Sequence, residues 1–349
     1  MSATRLESLG AHTPAHSVSS DVIAEQLGLA QPVDVAAITG IAARRVCDST
    51  QDRYESSFDL ALSAIDDCLS RSSYGPTDLD VVISTSITRS TGPESLTYDP
   101  AFALMLRNEI GATNARAFDI SNACAGMTTG IMLLDRMIRS GAARTGLVVS
   151  GERITPIMHT AIREISAPYD PQFASLTVGD AAAAVILDGA GDDDDHIDFV
   201  DLMTTADAAQ FCLGMPSDSS DGLAMYTDNR SMQTPERLML SMTRLDDVLG
   251  RHGRSWATEN FDFLIHHQFS GPAIERLKRM GEQHFGAPPP PVLNVFEQFG
   301  NTASTSHYLA LRTHLDAGRI PKGSKILLVT LASGIVYGYL SLTTSRLAG

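Results

Sequence analysis

Paired cysteines are missing. The four thiols, Cys47, Cys68, Cys124 and Cys212, stand apart with no C-x-x-C spacing. That excludes a disulfide-stapled framework and a cysteine zinc site, and leads us to expect no metal and a reducing, cytoplasmic setting. Long apolar runs are missing too. None reaches the roughly 18–20 residues that a bilayer-crossing helix needs. The opening MSATRLESLGAHTP has no basic start followed by an apolar centre, so no secretion signal is expected. Positive charge is scarce: 26 Lys and Arg face 41 Asp and Glu, for a net charge of −15. Broad nucleic-acid binding is excluded, because a phosphate backbone needs a basic face. An acidic carrier protein or coenzyme A would need a local basic patch.

What is present describes a large folded chain. Its 349 residues are 43% hydrophobic, enough for one large or two ordinary domains. Short, β-branched runs bounded by turn residues predict strands at DLDVVIS (78–84), TGLVVS (145–150) and 181–187. Helical spacing predicts helices around 22–29, 56–70 and 100–110. The acidic stretch Gly189–His196 reads as a solvated linker.

Beyond that linker the order of elements recurs. FDFLIHH (261–267) parallels LDVVIST (79–85), and KILLVT (325–330) parallels TGLVVS. The run 292–299 with Gly300-Asn301-Thr302-Ala303-Ser304 parallels 117–123 and Cys124, and 309–315 continues as a helix. A last strand falls at 335–342. The chain therefore reads as two α/β halves, 1–190 and 197–349. Apolar, non-alternating strands between helices imply mostly parallel sheets covered on both faces, with functional groups at the carboxyl ends of strands. Between the repeats, the segment 201–240 is polar and irregular. Its Met203, Met215, Met225, Met232 and Met239 suit either ordinary packing or an adaptable apolar pocket.

The chemistry gathers at AFDISNACAGMTTG (117–130). It reads as strand, tight turn and helix, with Cys124 at the helix mouth. Unpaired amides and the dipole there would lower the thiol pKa and make a nucleophile. A buried structural cysteine is the other reading of the same residues. In the second half His267 ends the first strand, and Asn301 takes roughly the place of Cys124. If the halves pack about a pseudo-twofold axis, the three converge on one cleft.

Several segments together resemble the β-ketoacyl-[acyl-carrier-protein] synthase III family, across nearly the whole chain. ITGIAARRV resembles its early TGI…R segment and DISNACAGMTTG its nucleophile segment. TVGDAAAAVIL resembles its GDGAGAVVL strand, LIHHQFSGPAIERL its HQAN…RI, FGNTASTS its YGNTSAAS, and LASGIVYGYLSL its closing glycine-rich strand. The resemblance implies a thiolase fold: two duplicated βαβαβαββ-type halves stacked as a five-layered αβαβα sandwich, in a homodimer. It implies an acyltransferase of the EC 2.3.1 type that works by ping-pong transfer. Cys124, His267 and Asn301 would be the catalytic triad, and the backbone amides of Cys124 and Ser333 the oxyanion hole. An acyl group would move onto Cys124 and then condense, with decarboxylation, with a malonyl-type thioester in fatty-acid, polyketide or other secondary metabolism. Acyl transfer to an alcohol or amine is the alternative, and a catalytically silent partner of another synthase is a third. No cofactor is implied, because acyl-CoA or acyl-carrier-protein phosphopantetheine thioesters are the substrates.

The departures from the family pattern carry information. Its usual Trp and Arg before TGI, which commonly clamp the adenine of coenzyme A, are Asp34 and Ile38 here. HQAN becomes His267-Gln268-Phe269-Ser270. Arg276, Lys278 and Arg279 follow directly, as a basic face for an acidic carrier or a phosphopantetheine phosphate. These changes favour a specialised pathway over primary fatty-acid initiation.

Overall fold

A computed structural model describes residues 3–50, 54–92, 95–167 and 169–347; the outer ends of the two expected halves lie outside them. The strands of the first sheet are β1 (Ala3–His12), β2 (Val81–Ser84), β3 (Arg116–Asp119), β4 (Thr145–Glu152) and β5 (Ala181–Gly191), in the order β1-β5-β4-β2-β3. The second sheet holds β6 (His196–Thr204), β7 (Phe263–His266), β8 (Ser324–Ala332) and β9 (Val336–Thr344), in the order β6-β9-β8-β7. Pairing repeats with it. In each sheet the central strand β4 or β8 lies antiparallel to β5 or β9 and parallel to β2 or β7. All strands of the first sheet precede residue 192 and all of the second follow residue 195.

Five layers follow from which faces are apolar. Helix α1 (Ser57–Ser70), closed by a capping box of Ser56 and Asp59, packs Leu60, Ala64 and Ile65 on the outer face of the first sheet. Helix α3 (Pro235–Arg251) lays Leu245, Val248 and Leu249 on the outer face of the second, and α4 (Gly271–Phe285) packs beside it. Between the sheets run α2 (Gly126–Arg139) and α5 (Ser306–Asp316). Met127, Ile131, Leu134 and Ile138 of α2 share one core with Tyr308, Leu311 and Leu315 of α5 and with the inner faces of both sheets. This αβαβα stack is the thiolase fold.

Two expectations change. The run 292–299 is not a strand: its repeat of β3 shrinks to a single bridge between Val292 and Leu264, and Phe296–Phe299 is one helical turn. Four prolines, Pro288–Pro291, lead into it, and proline donates no ladder hydrogen bond. The acidic linker is a tight turn instead. Strand β5 runs to Gly191, Asp192 and Asp195 bridge, and β6 starts at His196. Asp192, Asp193 and Asp194 are exposed, as the expected solvated stretch requires, whereas Asp195 is buried and lies 3.7 Å from Arg5, so an ion pair replaces solvation at that residue alone.

The halves are clasped where they meet. Asn301 donates its backbone N–H to Thr177 O (2.8 Å) and accepts from Gly179 N (3.0 Å). A Cβ on Gly179 would lie 2.2 Å from Phe299 O, so only glycine permits this approach.

Candidate active site

Cys124 sits in a 3-10 turn, Ala123–Ala125, between β3 and α2. Ala123 takes a left-handed φ of 44°, uncommon for a residue with a Cβ. Its counterpart in the second half is Ala303, φ 53°, in the turn Ala303–Thr305 before α5. Matching the two corners pairs Cys124 with Ser304. Asn301 lies three residues earlier, so it does not take the place of Cys124 in the repeat; the duplicated corner, rather than the Gly-Asn spacing, sets the register. Ser304 turns inward to Ser150 (2.7 Å) and to the buried Glu152 (2.7 Å).

The backbone amides of Cys124 and Ser333 lie close enough to the sulfur to favour its thiolate. Removal from water, with Cys212 and Glu152 adding smaller effects, pushes the thiol up to about 12. Burial therefore opposes the lowering expected from the helix tip. Desolvation of the charged form outweighs the amides, and Cys124 lies just outside α2, with Ala125 between it and Gly126. Iodoacetamide should accordingly alkylate Cys124 about ten times faster per pH unit from 7 to 9, because the thiolate fraction is still climbing. Peptide mass mapping checks this; a rate already level near pH 7 would contradict it.

His267 follows β7, donates its backbone N–H to Val329 O (3.0 Å), and is 4% exposed. Burial, and His307 secondarily, hold its imidazole well below the usual histidine range, so it is neutral at pH 7. Its neighbour His266 turns to a separate small cavity on the outer face of the sheet, bordered by Trp256, Phe285 and Lys278. Gln268 braces this strand end: it donates to His266 O (2.7 Å) and accepts from Val295 N (2.8 Å) and Phe296 N (3.2 Å). Asn301 Oδ1 accepts from Ala303 N (3.0 Å), which fixes the amide so that its NH2 is the end left to donate.

Cys124, His267, Asn301 and Ser333 line one cavity of about 350 Å³. Its size suits a flexible apolar ligand. Met225 and Met232 contribute to its wall, as do Phe173 and Ile335. Met203 instead packs on Ala208 and Tyr337, and Met215 and Met239 are exposed. Of the three basic candidates only Arg276 lines this cavity. Lys278 pairs with Glu275 at 2.8 Å and borders the smaller cavity, and Arg279 is exposed. Ile38 is 51% exposed at the cavity wall, while Asp34 caps the short helix Val35–Thr39 (2.8 Å to Ala37 N). Cys212, unassigned from sequence, also lines the cavity and accepts from Ser333 Oγ at 3.0 Å. No cluster fit to hold a metal exists among the described residues, and no helix among them is long and apolar enough to cross a membrane.

This stack and cleft define a condensing enzyme of the thiolase fold. The chain belongs to the 3-oxoacyl-[acyl-carrier-protein] synthase III family: that family's main sequence profile matches residues 118–208 and its C-terminal profile residues 252–344. It is similar to β-ketoacyl-[acyl-carrier-protein] synthase III of Deinococcus deserti, 28% identical over 346 residues (96% of this chain, 90% of the relative). It is similar to synthase III 1 of Bacillus cereus as well, 26% identical over 309 residues and 87% of each chain. A cysteine-to-serine variant of Xanthomonas campestris OleA, solved with lauric acid and lauroyl-CoA bound, shares the fold with a TM-score of 0.83 at 24% identity, over 98% of this chain and 99% of that one.

Proposed function

We propose that this protein is a ketosynthase that loads an acyl group onto Cys124 and condenses it with a malonyl-type thioester. One observation carries the reading: the thiol, the backbone amide of Ser333 beside it, the neutral His267 and the donating end of the Asn301 amide all line one apolar cavity. In the first step the Cys124 sulfur attacks the acyl thioester carbon and the donor thiol leaves. With the thiol protonated at rest, its proton must depart as attack begins. His267 is the one imidazole among the described residues lining the cavity, and it is neutral, so it can take that proton. The amides of Cys124 and Ser333 then hold the oxyanion. Covalent storage splits one hard step into two easier ones.

In the second step His267 and Asn301 donate to the carbonyl of the incoming thioester. Its carboxylate leaves as carbon dioxide, the enolate they stabilise attacks the acyl carbon, and Cys124 is released as the leaving thiolate. No resident cofactor enters, since the phosphopantetheine arm arrives with the substrate. An acyl carrier protein or coenzyme A would meet Arg276 at the cavity wall. The chain would work in the cytoplasm as a homodimer, with edge strand β3 free to meet a second copy. Asp34 and Ile38, in place of a Trp and Arg, support a role in polyketide or other secondary metabolism.

The test is a panel of labelled acyl-CoA and acyl-carrier thioesters, read by intact mass. The expected result is an adduct on Cys124, then carbon dioxide and a β-keto product on adding malonyl carrier. Transfer to an alcohol or amine without carbon dioxide would make the protein an acyltransferase instead. No adduct across the panel would leave a silent partner.

A further inference from the structure

A second buried imidazole touches the first. His307, the second residue of α5, is 0% exposed. Its ring lies over that of His267, with centroids 5.5 Å apart and planes 26° off parallel. Phe269 stacks on His267 as well, at 5.7 Å and 22°. His307 Nε2 donates to Val329 O at 2.9 Å, the same carbonyl that accepts the His267 backbone N–H at 3.0 Å. One peptide oxygen thus ties the His307 ring to the backbone of His267. Because Nε2 carries that proton, the Nδ1 of His307 is a bare acceptor, and it is buried without a partner. Such a group costs stability, so packing alone does not account for it.

The duplication supplies an internal control. Thr85 donates its N–H to Val149 O (2.8 Å) just as His267 does to Val329 O, so Thr85 is the counterpart of His267. Counting from Ala123 and Ala303, the counterpart of His307 is Met127, a buried core residue. The half without a histidine at the strand end fills the site with an apolar side chain. The half with His267 fills it with a tethered imidazole.

We propose that His307 is a positioning residue for His267: fastened to the Val329 carbonyl, its ring holds the His267 imidazole in a three-ring stack with Phe269 so that one edge faces the cavity. The His267 Nδ1 is buried without a partner, leaving Nε2 as the edge that meets substrate. Burial within this stack keeps the resting His267 neutral. This role rests on the condensation reading above.

The variants to make are His307→Leu, which removes both ring and tether, and His307→Gln, whose amide can restore the donor to Val329. In His307→Leu, acylation of Cys124 in a single turnover should change less than threefold. Carbon–carbon bond formation should fall about 10- to 100-fold, the scale of a misplaced catalytic group, with KM for the malonyl thioester within threefold of wild type. His307→Gln should recover part of that loss. With ¹⁵N-histidine labelling, the ring nitrogens of His267 should show one neutral tautomer in the wild type and averaged tautomers in His307→Leu. An unchanged His267 spectrum in both variants, or equal loss of both steps, would overturn the proposal. The spectra need no turnover, so they report on His307 even if the panel yields no adduct. Failure of the wild type to condense would count against the condensation reading alone.

Discussion

Replacing Cys124 with alanine is expected to abolish the acyl adduct and to lower overall turnover by roughly 10⁴-fold or more, as removal of a covalent nucleophile does. The change should be nearly silent for the fold. The sulfur borders a cavity, alanine keeps the Cβ that packs on the neighbouring apolar clusters, and the backbone amides of Cys124 and Ser333 remain in place. Intact mass with a labelled acyl donor reads the first effect and thermal melting the second. Cys212 is the control, because it lines the same cavity. Cys212→Ala should keep the adduct. An adduct that persists in Cys124→Ala and vanishes in Cys212→Ala would transfer the role to the second thiol.

His267→Ala is expected to slow carbon–carbon bond formation by about 10²–10³-fold, the usual cost of losing a donor aimed at developing negative charge. Acylation should fall less, because hydroxide can replace the base for the thiol and the oxyanion amides do not involve the imidazole. That residual acylation should climb with pH, since the thiol of Cys124 still holds its proton. Quench-flow mass spectrometry of the two half-reactions separates them. Equal losses of both half-reactions at every pH would count against the role assigned to His267. Asn301 is a poorer probe of the chemistry. Its side chain also holds the Ala303 corner and its backbone clasps 177–179, so alanine there would disturb the turn together with the donor.

Much of the architecture was legible because buried parallel strands leave continuous apolar runs and the two halves repeat them. Cys124 and His267 were legible for the same reason, as each closes a strand or opens a helix at a turn that the pattern marks. Asn301 was found in the right loop but given the wrong partner in the repeat. Two alanines at positive φ carry the register, and alanine gives no sequence sign of that conformation. The effect of burial on Cys124 was not visible in the sequence, because helix position is local whereas desolvation comes from the cleft walls. His307 was missed since nothing in a helical run says that its ring will meet His267. Cys212 was missed for a like reason: it reaches the cavity from the hairpin Cys212–Pro216 and Leu223–Thr227, far from any motif.

The clasp between Asn301 and the 177–179 segment bears on how the protein is made. While the chain leaves the ribosome, Cys124 is synthesised long before His267, Asn301 and the Ser333 amide that completes its surroundings. The bonds that join Asn301 to Thr177 and Gly179 can therefore close only after most of the second half has been made, and the cavity around Cys124 is completed last.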